Sequence, residues 1–330
     1  MSERRVRDRV VLAGASGFIG DYLTAAYRSR GAEVTRIGRR GPDARWGNTA
    51  AITDALDGAD VLINLAGKSV NCRYNEANRA EIIRSRVATT SELARAIAAC
   101  DEPPPVWLNS STATIYRHAE DRPMTESTGE LGTGFSVGVA TAWEEALFAA
   151  DLPATRRVAL RMAIVLGDGS ALVPLLRLAR LGLGGPQLDG HWFATEERRR
   201  NGIFHEFRDT DGRQKFSWVH IADVLGAIDF LRVHPELAGP VNITSPNPSD
   251  GRTLMRTIRE LLGVPIGIPS PRWLLEIGAK VISTETELIL KSRWVVPERL
   301  LAAGYSFQYP ELEPALRQII DQRRSASPAA

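Results

Sequence analysis

Apolar and polar positions alternate along this chain in blocks that predict its elements. Arg9–Ala13, RVVLA, is an apolar run too short for a helix, and it reads as a buried strand. Phe18–Arg30 carries apolar residues at helical spacing and closes at Gly31, a residue suited to the left-handed turn that ends helices. Glu33–Gly38 and Asp60–Ala66 predict further strands, and Glu81–Cys100 a long helix. Val106–Tyr116 begins as a strand, and Arg157–Leu166 reads as another. Strand and helix alternating in this way predict a parallel sheet covered on both faces, with right-handed crossovers.

The second half is mixed. Ala171–Leu183 reads as a helix ending in Gly184-Gly185-Pro186. Residues 187–215 are polar, and FHEFRDTDGRQKF suggests a hairpin around Asp211-Gly212. Ala222–Val233 reads as a helix, Val241–Thr244 as a strand, and 249–322 as helices with short extended pieces. The last residues, RRSASPAA, read as a frayed tail.

The net charge of +2 argues against nucleic acid or an anionic membrane as a partner. The run Arg198-Arg-Arg200 reads as a solvated loop. The chain has only four lysines, Lys68, Lys215, Lys280 and Lys291, among many arginines. Cys72 and Cys100 form no close pair, and His118, His191, His205, His220 and His234 lack ligand spacing, so no disulfide framework and no metal site are expected. No signal peptide or membrane span is visible, which makes the expected location cytoplasmic.

Gly14, Gly17 and Gly20 stand three apart where the first strand gives way to a helix. A tight turn, close approach of backbone to a pyrophosphate, and packing of helix on strand each favour glycine at one of these positions. The helix amino terminus then offers N–H groups and partial positive charge to the phosphates. Ser16, Phe18 and Ile19 belong to the same turn. At the end of the second strand, an acidic residue would bind a ribose 2′-hydroxyl. This chain has Ile37-Gly38-Arg39-Arg40 instead, and two guanidiniums suit a 2′-phosphate, so the expected cofactor is NADP(H).

GASGFIG, NLAG at 64–67, SSTATIY at 110–116 and FSWVHIADV at 216–224 together resemble the extended short-chain dehydrogenase/reductase superfamily. RMAIVLG, GLGG, GRQKFSWVHI, GPVNITSPNP and VVPERLLAAG narrow the likeness to its atypical, epimerase-like branch. The resemblance implies an α/β fold, a Rossmann-type doubly wound parallel sheet with a smaller mixed α/β C-terminal substrate domain. Residues 1–168, completed by 216–245, would bind the cofactor; 169–215 and 246–322 would form the substrate or lid domain, and 323–330 a flexible tail. It also places Gly38 and Arg39 at the adenosine end, Leu65, Ala66 and Gly67 along the cleft, Glu81 and Arg86 near the nucleotide, and Val165 beside the nicotinamide. Relatives of this kind pair through the helices flanking the fifth strand, which makes a homodimer an expectation, with Trp143 on one of those helices.

The resemblance breaks at catalysis. Most superfamily enzymes use Tyr-x-x-x-Lys, whose phenol serves as acid or base. Here those two positions fall on Ser136 and Ala140. Thr112 occupies the usual place of a substrate-binding hydroxyl. Tyr116, on the same strand-end loop, is the leading replacement for the phenol; Lys68, Asn71, Arg73, His118 and His220 are others. Two functions remain open: an oxidoreductase or epimerase acting on a small molecule, and a regulator that binds NADP(H) without turnover. The long 187–215 segment is expected to form a lid over the cleft.

Overall fold

The computed structural model describes residues 8–39, 43–169, 171–204, 210–281 and 285–326. In chain order the elements are β1 (Arg9–Ala13), α1 (Phe18–Ser29), β2 (Glu33–Gly38), β3 (Ala44–Arg45), α2 (Thr49–Leu56), β4 (Val61–Asn64), α3 (Glu76–Ala98) and β5 (Val106–Thr112). A short 3₁₀ turn (Ala113–Ile115) leads to α4 (Phe135–Phe148), β6 (Arg156–Met162), β7 (Ile164–Leu166), α5 (Leu172–Arg180) and α6 (Glu196–Arg200). Then come β8 (Lys215–Phe216), β9 (Trp218–His220), α7 (Ile221–Val233), β10 (Gly239–Ile243), β11 (Ser249–Asp250) and α8 (Gly251–Leu262). The chain closes with α9 (Arg272–Val281), α10 (Glu287–Leu290), α11 (Glu298–Ala302) and α12 (Leu312–Ala326).

Seven parallel strands form one sheet in the order β10-β6-β5-β4-β1-β2-β3. Alternate residues of each strand serve opposite faces. Val10 and Leu12 of β1 join Leu23 and Tyr27 of α1 and Val224 and Ile228 of α7 in one core. Val11 and Ala13 join Ile52 of α2, Leu93 of α3 and Leu147 of α4 in the other. Apolar residues on both faces account for the unbroken runs in the sequence. A third core joins Leu176 of α5, Ile258 of α8 and Leu316 of α12 to Trp218.

Several expectations are corrected. The segment Arg157–Leu166 is two strands, because Ala163 N–H donates to Ile243 and β7 leaves the sheet to pair with β9. Helix α3 begins five residues before Glu81, started by the Asn75 side chain, which accepts from Asn78 N–H at 2.8 Å. Asp211 (φ 53°) and Gly212 (φ 76°) do make a turn. However, Lys215–Phe216 pairs antiparallel with Ser249–Asp250, not with a hairpin partner just upstream, and 205–209, including His205, lie outside the described residues. Helix α12 runs through Arg323, which pairs with Asp168 at 2.8 Å, so the chain is not a free tail from 323. Arg198 is not solvated: it turns inward to Glu276 and Glu285, each at 3.4 Å.

Candidate functional site

The sheet order reverses between β1 and β4, which opens a crevice at the carboxyl ends of these strands. Gly14 follows β1 with φ 77°, and a Cβ there would lie 2.7 Å from the Ala66 nitrogen. Leu65 N–H in turn donates to Ala13 at 2.8 Å, so the two strand ends are stitched together. A Cβ on Gly20 would strike the Ala15 backbone at 2.7 Å, which is the close seat of α1 on the turn. Gly17 differs. A Cβ there would meet only the Gly14 carbonyl oxygen, at 3.8 Å. Gly17 and Ser16 are exposed, and no side chain caps the first turn of α1. The three glycines thus divide the labour: two satisfy the fold, and the third leaves a clear approach to helix N–H groups, as a diphosphate requires.

The neighbouring residues frame this crevice. Phe18 packs its ring on the chain after β7, where a Cβ on Gly167 would lie 2.6 Å away, and Ile19 packs on the core beside α7. Gly38 ends β2, and Arg39 is exposed just beyond it; Arg40 lies outside the described residues. Leu65 and Val165 are half-buried, Ala66 is buried, and Gly67 is exposed. A cleft of about 430 Å³ opens beside Phe18, lined also by Tyr22, Asp168, His220 and Gln318. A hollow of about 520 Å³, lined by Asp60, Pro105, Arg156 and Arg232, lies at the opposite, amino edge of the sheet, away from the glycine turn.

Arg86 and Glu81 part company. Arg86 donates from Nη1 to the carbonyls of Lys68 and Ile82, both at 3.0 Å, beneath Gly67. Its guanidinium lies 4.9 Å from the Trp143 ring centroid, and burial lowers its pKa to about 10. Glu81 instead faces Arg84 one turn on, an exposed ion pair, because five residues turn a helix too far for both side chains to share a face. Trp143 donates from its indole to Thr90 at 3.1 Å, so its ring is spent on the α3–α4 seam.

The expected phenol lies inside the protein. Tyr116 is 2% exposed. Its hydroxyl donates to Asn242 Oδ1 at 3.0 Å and accepts from Arg161 at 2.9 Å. Burial is the main cause that raises its pKa. Arg161 is held by Glu144, which also accepts from Ser111 at 2.6 Å. Tyr116 is therefore one link of a buried network joining β5, α4, β6 and β10. Thr112 accepts from Thr114 N–H at 3.2 Å and starts the 3₁₀ turn.

Asn71 is exposed, and the other candidates are engaged. Lys68 donates to Asn78 at 2.8 Å, and Arg73 pairs with Glu285 at 3.2 Å. His118 accepts from Ser292 N–H at its Nδ1. His220 accepts from Ala222 N–H at Nδ1 and holds Gln318 through Nε2; burial lowers its pKa to about 4.

The structure gathers residues to which the sequence reading gave no role. Ser136, in the first turn of α4, donates to Glu287 at 3.0 Å. Lys291, at the end of α10, donates to the Thr114 carbonyl at 2.9 Å, and Arg293 donates to the Thr114 hydroxyl at 3.2 Å. Tyr74 is buried beside Phe135, with ring centroids 4.9 Å apart. Its pKa is raised, first by burial and then by the negative charge of Glu287. Among the described residues no cluster of side chains is suited to a metal ion, and no helix is long and apolar enough to cross a membrane.

A glycine turn seated at this switch point defines a Rossmann-type nucleotide-binding protein of the short-chain dehydrogenase/reductase kind. Residues 10–244 match the NAD dependent epimerase/dehydratase family, and the chain belongs to it. Residues 270–319 match a domain of unknown function, DUF1731. The epimerase family protein SDR39U1 of Bos taurus is 34% identical over 321 residues, spanning 94% of this chain and 99% of that protein. Epimerase family protein YfhF of Bacillus subtilis is 28% identical, spanning 96% and 99% respectively. The crystal structure of human SDR39U1 isoform 2 with NADPH superposes with a TM-score of 0.79 at 29% identity, covering 95% of this chain and 99% of that one.

Proposed function

We propose that this chain binds NADP(H) across the β1–β4 crevice and transfers hydride to or from a carbonyl or hydroxyl group of a small molecule. The open approach at Gly17 carries the reading, supported by the NADPH in the human relative's structure. Gly14, Gly17 and the first turn of α1 would hold the diphosphate, and Arg39 the 2′-phosphate. Ala66, Gly67 and Val165 would line the path toward the reacting end. The bound dinucleotide would supply the hydride; the protein's part is to orient both partners, exclude water and handle the proton. Residues 169, 171–204, 210–215, 246–281 and 285–322 would form the substrate side.

Fluorescence titration with NADPH and NADH tests this. Arg39→Ala should weaken NADPH binding roughly ten- to hundredfold, the worth of a charge-assisted hydrogen bond, and leave NADH nearly unchanged. Equal losses for both would remove the 2′-phosphate assignment.

A second reading is a sensor of the NADPH/NADP⁺ ratio without turnover. It is favoured by Ser136 standing where the wider superfamily's Tyr-x-x-x-Lys pattern would put its tyrosine, and by the fully engaged Tyr116 hydroxyl. A sensor requires different affinities for the two redox forms. Equal affinities together with turnover of a carbonyl compound would exclude it.

A further inference from the structure

We propose that Lys291, delivered from the C-terminal segment to the turn after β5, exchanges the proton with the substrate oxygen in place of the phenol that α4 lacks. The inference rests on the cofactor reading above and names the acid–base residue of that site.

Three observations converge on this lysine. The first is place. The Lys291 ammonium sits 2.9 Å from the Thr114 carbonyl, two residues beyond Thr112 at the carboxyl end of β5. Ser136 on α4 is tied to Glu287 on the same short segment at 3.0 Å. The segment 287–291 therefore bridges the strand end and the helix start between which the missing tyrosine would have reached.

The second is valence. An ammonium has three N–H donors. Among the described residues Lys291 gives one hydrogen bond, to a neutral carbonyl, while being 3% exposed. Donors buried with so few acceptors are costly unless an oxygen arrives to take them. A substrate carbonyl or alkoxide is such an oxygen.

The third is chemistry. The chain meets most of its needs for positive charge with arginine, which does not give up its proton in proteins. Lysine can. The charged and titratable groups facing Lys291 are Arg293 and Glu287 on its own segment and His118 from the segment after β5. Burial, followed by the Arg293 charge, lowers its pKa to about 8, with Glu287 opposing. A group titrating there can serve as acid and as base near neutral pH.

In reduction, the substrate carbon gains a hydride from the reduced dinucleotide, which is oxidised. The carbonyl π bond becomes an O–H bond as one Lys291 N–H bond breaks, leaving a neutral amine that solvent reprotonates. Oxidation runs the same steps in reverse.

The test uses the full chain carrying lysine labelled with ¹³C at the ε-carbon, which gives only four signals. The expected result is one signal titrating near pH 8 that is absent from Lys291→Met. NADPH oxidation with 4-nitrobenzaldehyde and a panel of small aldehydes should fall as pH rises through the same midpoint. Lys291→Met should lose at least a hundredfold in kcat with NADPH affinity within threefold. Lys291→Arg should be equally inactive, because it keeps the charge and the bond to Thr114 but holds its proton. A Lys291 midpoint above 10 overturns the proposal, as does wild-type turnover by Lys291→Arg, or a wild type that binds NADPH yet reduces no aldehyde. Should Lys291→Met not fold, the wild-type titration still decides. A wild type that takes up no NADPH refutes the cofactor reading and this proposal with it.

Discussion

Arg161 grips Glu144 with two hydrogen bonds, Nε to Oε1 at 2.8 Å and Nη2 to Oε2 at 2.7 Å, inside the layer between α4 and β6. Both side chains are about nine-tenths buried. Removing one partner strands the other charge away from water. Glu144→Ala should therefore lose about 3–5 kcal/mol in urea unfolding. Glu144→Gln, which retains an acceptor, should lose less.

Tyr116→Phe removes a hydroxyl that both donates and accepts, leaving Asn242 and Arg161 each short of a partner. The expected loss is about 1–3 kcal/mol of stability with NADPH affinity unchanged. Loss of turnover at undiminished stability would place Tyr116 at the reacting centre.

The three glycines should separate in behaviour. Gly17→Ala places its methyl in open space, so thermal unfolding without ligand should move little while the NADPH Kd rises at least tenfold. Gly20→Ala drives a methyl into the Ala15 backbone and should lower the unfolding temperature before any ligand is added. Calorimetry paired with fluorescence titration reads both effects.

His220 gives stability a pH slope. Its folded pKa, about 4, lies below the ordinary 6.5, so between these values the unfolded chain binds more protons. Stability from this residue is complete above pH 6.5 and falls as pH drops toward 4, by at most about 1.4 kcal/mol per pH unit. His220→Gln should flatten that limb of the urea midpoint against pH. An unchanged slope would assign the effect to other groups.

The sheet was legible because its strands bury both faces and so appear as unbroken apolar runs. The glycine spacing was legible because each residue answers a local steric demand. The break at Ala163 was hidden, since its cause is a hydrogen bond to Ile243 eighty residues on. The true start of α3 was hidden in a polar stretch without periodicity, where Asn75 supplies the signal. Arg198 read as solvated because its acceptors, Glu276 and Glu285, lie far along the chain. Tyr74, Ser136 and the pair Glu287 and Lys291 stood in three separate segments; nothing local relates the three, and only the third dimension does.

Strand β10 completes the sheet beside β6 and brings Asn242 to the Tyr116 hydroxyl. A ribosome must therefore release the polypeptide past residue 243 before the nucleotide-binding half can close its outer edge. Until then β6 offers an unpaired rim to any neighbouring nascent chain. Cutting the gene after codon 168 would leave that rim permanently bare, so a usable minimal fragment has to reach beyond it.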